Sequence, residues 1–502
     1  MARKQFLVTD NARCEPLSRL PSLAPAEFRE AVAREVAGGA RLSALFAHPV
    51  SRGAFRLIAA LRDPVRGVLR LSSSRVAGAY PALTPECPAA HWFERDLAER
   101  WGLRPEGHPW LKLIRFAPPE ALALPAGPRR LCGDADFFRV EGEEVHEVGV
   151  GPVHAGVIEP GHFRFQCHGE EVLHLEISLG YQHRGVERAL SAGPDLRSLH
   201  LAETLAGDTS VGQAMAYCQA LEALAGCRVP PRAMAIRGIA LELERIANHI
   251  GDLGAMAGDV GFLPTSSWCG RIRGDALNLT AMACGSRFGR GLVRPGGVGF
   301  DLDEALVAEL GERLATLERE ARGACRPLWR TPSVVARFEG TGVLDRERAA
   351  EIGLVGPAAR ACGIAEDVRH DLPSGIYRFA QMPVATWHTG DVFARAYVRW
   401  LETERSIAFV SEQLRALPAG PVRQPLAPAA PSALAVSLVE GWRGEICHAL
   451  LTGPDGGFRR YSVVDPSYHN WFGLALSLRG EQISDFPLCN KSFNLSYCGH
   501  DL

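Results

Sequence analysis

The chain is 502 residues long, enough for at least two domains that each bury a core. Its 55 Lys and Arg against 57 Asp and Glu exclude the basic field of a nucleic-acid binder and give no acidic tail. No apolar run approaches the roughly 18 residues of a membrane span, and no apolar segment follows the basic residues near Met1. A cytoplasmic chain that meets a membrane only through other subunits is expected. The 13 cysteines include no Cys-x-x-Cys pair and read as free thiols in a reducing compartment, so no iron-sulfur cluster held by this chain alone is expected.

Pro25 opens a predicted helix over 25–37 with Phe28, Val32 and Val36 on one stripe and Gly38-Gly39 as the stop. The stretch 53–71 alternates around RDPVRG as a β-hairpin, and 91–102 returns to helical spacing with Phe93, Leu97 and Trp101 on one face. Residues 117–130 are rich in Pro and Ala without an amphipathic period; the boundary is placed there, between a small α+β domain (1–125) and a second domain (131–502). That domain opens with a hairpin over 162–177 turning near Gly169 and is mainly helical thereafter. Along 233–250, Ile236, Ile239, Ala240, Leu243, Ala247 and Ile250 form an apolar stripe. Glu242, Arg245 and His249 share a separate polar face, open to two readings: a solvated, self-paired surface or a functional one. A Pro-Ala linker is expected at 426–435, and the absence of a Gly-rich fingerprint after a strand argues against direct NAD binding.

Several stretches carry a resemblance. YPALTPECPAAHWFERDLAERWGLRPEGHPWLKLIRF (80–116) resembles the C-type subunit of the NADH-quinone oxidoreductases of respiratory complex I. GPVHAGVIEPGHFRF and LGYQHRGVERAL (151–190) resemble the start of the D-type subunit of those enzymes and of the large subunits of membrane-bound nickel-iron hydrogenases; RPGGVG, GLVGPAARACGIAEDVR and GDVFARAYVRWLE continue that pattern. The fused order is the layout of formate hydrogenlyase large subunits. The resemblance implies an α+β fold: a domain like the C-type subunit, then a mainly α-helical, hydrogenase-large-subunit-like domain behind its opening hairpin.

Nickel-iron chemistry needs four thiolates, because soft sulfur donors hold low-valent nickel and two of them bridge to iron. In the family's early and late cysteine frames this chain has Ala206, Thr209, Ser467 and Asn470. No metal is therefore expected, nor the maturation cleavage that follows nickel insertion; Cys489 and Cys498 as substitute ligands are the weaker reading beside ordinary buried thiols. Of the quinone site in the D-type subunit, His154 is matched, Glu159 stands where hydrogenases carry a proton-relay Glu, and the phenol donor's place falls at Ala206 or Gly207. His154 also has the plain reading of a satisfied core histidine.

The resemblance further places His183, Arg184, Arg245 and His249 beside an iron-sulfur cluster held by a small partner subunit, where a positive group raises the cluster's potential. The alternative is a structural salt-bridge network. The implied protein is the large subunit of a redox complex on the inner face of the cell membrane, with membrane-embedded antiporter-like subunits as further partners. Two alternatives stand: a reductase of a quinone or other two-electron acceptor, with His154, Glu159 and Asp208 as proton donors, and a noncatalytic scaffold.

Overall fold

The structure, a computed structural model, describes residues 4–117, 131–132, 135–156 and 158–502. The boundary expected at 117–130 lies, apart from Ala117, outside the described residues. Among the described residues no helix is long and apolar enough to cross a membrane.

The N-terminal region is built on an antiparallel meander, β2 (Arg41–Ser51), β3 (Ala54–Asp63) and β4 (Val68–Val76), extended beyond β4 by Leu7–Thr9. The β3–β4 hairpin is the one expected from RDPVRG, with Gly67 at φ +65° in the turn. Helix α1 (Pro25–Ala37) starts on its proline and buries Phe28, Ala31 and Val32. Helix α2 (His91–Trp101) buries Phe93, Leu97 and Trp101, and Gly102 ends it in the left-handed conformation. The second hairpin is also where the alternation places it, β5 (His162–His168) against β6 (Glu171–Ser178) around Gly169.

The strands near the C-terminus form a second sheet that periodicity did not predict. β7 (Ala433–Gly441), β8 (Gly444–Thr452) and β9 (Phe458–Val464) pair antiparallel, and β1 (Arg13–Pro16) from the start of the chain completes the sheet against β7. β7 and β8 are buried along their whole length. A strand covered on both faces reads as a continuous apolar run and loses its period of two, which is why the linker reading at 426–435 overran the strand that begins at Ala433.

Against this sheet packs α3 (Ser210–Leu224), while the 29-residue α4 (Pro231–Asp259) lies beside α5 (Leu263–Cys284) and α6 (Val392–Arg415) and meets the sheet at the β7–β8 turn. The polar face of α4 is not solvated. Glu242, Arg245 and His249 have no exposed surface, because α6 and the β7–β8 turn cover them. Burial forces pairing: Arg245 bonds Glu242 and the carbonyls of Glu440 and Gly441, while Glu402 of α6 takes both His249 and Arg360.

Close approach explains one motif of the helical domain. Gly356 (φ +67°) presses on the β7–β8 turn so tightly that a Cβ there would lie 2.1 Å from the Arg443 carbonyl oxygen. The chain segment 353–369 thereby seats Arg443.

Candidate functional site

Arg443, at the β7–β8 turn, is the centre of the site. Its Nη1 and Nη2 donate to Oδ1 and Oδ2 of Asp208 at 2.6 and 2.8 Å, its Nε donates to the carbonyl of Asn494, and its guanidinium stacks 3.8 Å from the Trp442 ring centroid. The Trp442 indole N–H in turn donates to the Asp208 carbonyl and Thr209 Oγ1, each at 3.1 Å. Burial would raise the Asp208 carboxyl, but the Arg443 guanidinium outweighs it and holds the group below the usual carboxylate range. Asp208 still presents 34% of its side-chain surface, so a stable anion with one open side faces outward.

Of the four places that the resemblance assigns to the cysteine frames, Thr209 touches this pair, and three of the four side chains are engaged in hydrogen bonds. Ala206 is fully buried. Thr209 donates to Asp208 Oδ1 at 3.0 Å and accepts from Trp442 and Arg443. Ser467, in the first turn of α7 (Pro466–Ser477) capped by Asp465, accepts from the Ser496 amide at 2.8 Å. Asn470 closes a two-way bridge to Val355, taking its N–H at 3.0 Å and donating to its carbonyl at 3.1 Å. A methyl, a hydroxyl, a hydroxyl and a carboxamide offer no soft donor, so these residues do not fit a nickel-iron centre. Of the late cysteines, Cys489 is buried beside Arg395, and Cys498 borders Glu159 and Arg184.

A cavity of about 410 Å³ opens beside the site, walled by Phe163, Phe165, Ile483 and Phe486 and edged by His154, Asn490, Lys491, Asn494 and Tyr497. Its size and its apolar wall with few polar groups are those of a small-molecule site. Asn494 joins it to the ion pair: at φ +45° this residue turns its carbonyl to Arg443 while its amide reaches Asp252.

The residues expected from sequence fall into two groups. His154 bonds the Gly161 carbonyl through Nε2 at 2.9 Å and edges the cavity; Glu159 accepts from the Tyr497 amide at 3.2 Å on the same side. His183 is bound to the Asp501 carbonyl at 2.7 Å, and burial lowers its proton affinity more than that carbonyl restores it. Arg184 is exposed, with its guanidinium on the carbonyls of Thr204, Leu205 and Cys498. These four and Asp208 are half-buried or exposed, on a surface that also carries the exposed Val153 and Ile158.

Arg245 and His249 belong to the interior and do not share that surface. His249 meets the site at Trp442, in a T-shaped contact 6.1 Å between centroids, and burial pulls its imidazole down to about 4 against the opposing pull of Glu402. At neutral pH it is an uncharged ring. Sequence reading missed Arg443 and Asn494, whose signal lies only in tertiary contact.

Comparison with known proteins agrees with this architecture. The profile of the respiratory-chain NADH dehydrogenase 30 Kd subunit matches residues 35–126, and that of the 49 Kd subunit matches residues 259–432. Over 350 residues the chain is 34% identical to the carbon monoxide-induced hydrogenase of Rhodospirillum rubrum, spanning 70% of this chain and 97% of that protein. The chain belongs to the complex I and energy-converting hydrogenase large-subunit family. It is 31% identical to formate hydrogenlyase subunit 5 of Escherichia coli (strain K12) over 433 residues, 83% of this chain and 76% of the relative. It is likewise 31% identical to NADH-quinone oxidoreductase subunit 4 of Thermus thermophilus over 371 residues, 68% of this chain and 90% of that one. It joins a 30 Kd-type and a 49 Kd-type part in one oxidoreductase subunit.

Proposed function

We propose that this chain is the large subunit of a membrane-associated electron-transfer complex that works without nickel-iron chemistry. It closes the acceptor cavity over an iron-sulfur cluster held by a small partner subunit and passes redox change to membrane-embedded, antiporter-like subunits, which hold it at the inner face of the cell membrane. The observation that carries this reading is the commitment of the ligand places: Thr209, Ser467 and Asn470 are spent on hydrogen bonds, and Asp208, beside Thr209, is paired with Arg443. Elemental analysis of the complex, produced in a host with a working nickel-insertion system, should find no stoichiometric nickel. One nickel per chain would sink the reading.

Within the complex, Arg184 is the charge placed to act on the partner's cluster, being exposed while Arg245 and His249 are enclosed. A cation beside an anionic cluster favours its reduced form. Arg184→Ala should therefore lower the cluster's midpoint potential in a redox titration followed by electron paramagnetic resonance, and an unchanged potential would return Arg184 to a loop-holding role.

The cavity favours a second reading, reduction of a quinone or another two-electron acceptor, since its aromatic wall suits a flat ring and His154 and Asn494 offer polar contacts at its edge. Turnover of the purified complex with a panel of quinones decides it; a silent cavity favours the scaffold.

A further inference from the structure

A second cavity, of about 450 Å³, shares no residue with the first and is formed where the second half of α3 meets the start of α4 and the segment Ser374–Phe379. Its wall is largely apolar, with Met215 and Ala223 from α3, Val229 and Met234 at the entry to α4, and Ile376 and Phe379 from the 374–379 segment. The buried polar residues that line it are already paired. Gln219 donates to Ser374 Oγ at 3.0 Å, and Arg237 holds both oxygens of Glu222 through its terminal nitrogens at 3.0 and 2.6 Å.

The lining is left positive. It carries three guanidiniums, those of Arg228, Arg237 and Arg378, against the single carboxylate of Glu222, which Arg237 neutralises. Arg228 and Arg378 are both exposed, so they stand at the mouth, and among the described residues neither is in an ion pair. Arg378 is fixed through Nε, which donates to the Pro373 carbonyl at 3.2 Å, and this leaves its two terminal nitrogens to face a ligand. Phe379, next to it in the chain, keeps 77% of its surface in water.

We propose that this cavity binds a small amphipathic anion, with an apolar body against the methionines, Val229 and Ile376 and a single carboxylate or phosphate head held at the mouth by Arg228 and Arg378. The volume is that of a small-molecule site, and methionine side chains adapt to the shape of an apolar body. A guanidinium matches an oxyanion with paired N–H donors, and an apolar wall beside it weakens screening by water. Other classes fit less well. A cationic ligand would meet two positive charges, and a sugar would find Gln219, Ser374 and Glu222 already committed. The inference stands apart from the redox reading of the complex, because no residue of the Arg443–Asp208 site takes part.

The test is calorimetric titration of the purified full-length chain with decanoate, decyl phosphate and decanol, each below its micelle concentration. At least one of the two anions should bind saturably, one per chain, and decanol about tenfold or more weakly. Arg228→Gln combined with Arg378→Gln changes only exposed side chains, and it should weaken the anion about tenfold or more while leaving decanol as it was. Met234→Trp, which fills the cavity, should abolish binding of all three. The partly exposed thiol of Cys227 lines the cavity and gives a second readout: its alkylation by iodoacetamide, followed by peptide mass spectrometry, should slow when the anion is present in wild type but not in the double variant. The assignment is overturned by the absence of saturable binding, by equal affinity for decanol, or by an unchanged affinity in the double variant. It is equally overturned if vesicles of anionic phospholipid bind through these arginines while the free anions do not, since the charge would then serve a membrane surface. Should Met234→Trp fail to fold, the arginine variant and the thiol still decide.

Discussion

Restoring a thiol at one ligand place should damage the protein before it restores any chemistry. Asn470 is almost fully buried, and its carboxamide both accepts from the Val355 amide and donates to the Val355 carbonyl. In Asn470→Cys the sulfur reaches neither group with comparable strength, so two buried backbone groups lose their partners. Each unsatisfied group costs about 1–3 kcal/mol, and some relaxation is expected; the loss should be about 2–4 kcal/mol. Asn470→Asp is no rescue, since it keeps the acceptor, loses the donor and buries a charge. Thermal melts should show the destabilisation, and hydrogen exchange read by mass spectrometry should show faster exchange in the peptide containing Val355. Melting and Val355 protection both at wild-type values would refute the bridge as a structural element and leave Asn470 free to serve as a ligand place.

Gly356→Ala should cost upwards of about 3 kcal/mol, because a left-handed backbone is combined with a Cβ 2.1 Å from the Arg443 carbonyl; a change in stability under about 1 kcal/mol would mean that the turn gives way freely. His448 is bound through both ring nitrogens, to the Tyr461 hydroxyl and the Gln213 carboxamide, and burial holds its proton affinity down at about 3. Its folded value lies below its unfolded one, so the stability it contributes is present above pH 6.5 and is lost as pH falls from there toward 3; the ring should not titrate above pH 5 by nuclear magnetic resonance, and His448→Gln should flatten the acid limb. Glu244 has the opposite sign. Burial raises its carboxyl from 4.5 to about 8 against the opposing first-turn amides of α3, so the stability its proton contributes is complete below pH 4.5 and is lost as pH rises to 8. Glu244→Gln should remove that slope from stability measured by denaturant unfolding, and an unchanged slope would count against the buried acid.

What the amino-acid sequence determined by itself were the elements whose pattern is local. Pro25 and Gly38 bound a helix, Gly169 turns a hairpin, and Gly102 caps α2, because capping and turn chemistry act between residues a few positions apart. The fused order of its two parts was also legible there, as motifs in a fixed order, and the same resemblance assigns Ala206, Thr209, Ser467 and Asn470 to the thiolate places. Tertiary structure alone decided the rest. Glu242, Arg245 and His249 share one face of a helix in either case, but only the packing of α6 and the β7–β8 turn makes that face an interior and leaves His249 uncharged. The β7–β9 sheet has no alternation to read because both its faces are covered, and one of its strands comes from more than 400 residues away, at Arg13–Pro16. Asp208 and Glu244 are both carboxyls in the sequence; only the fold brings the guanidinium of Arg443 onto one and the first-turn amides of α3 onto the other, and a carboxyl's charge is set by such neighbours in space.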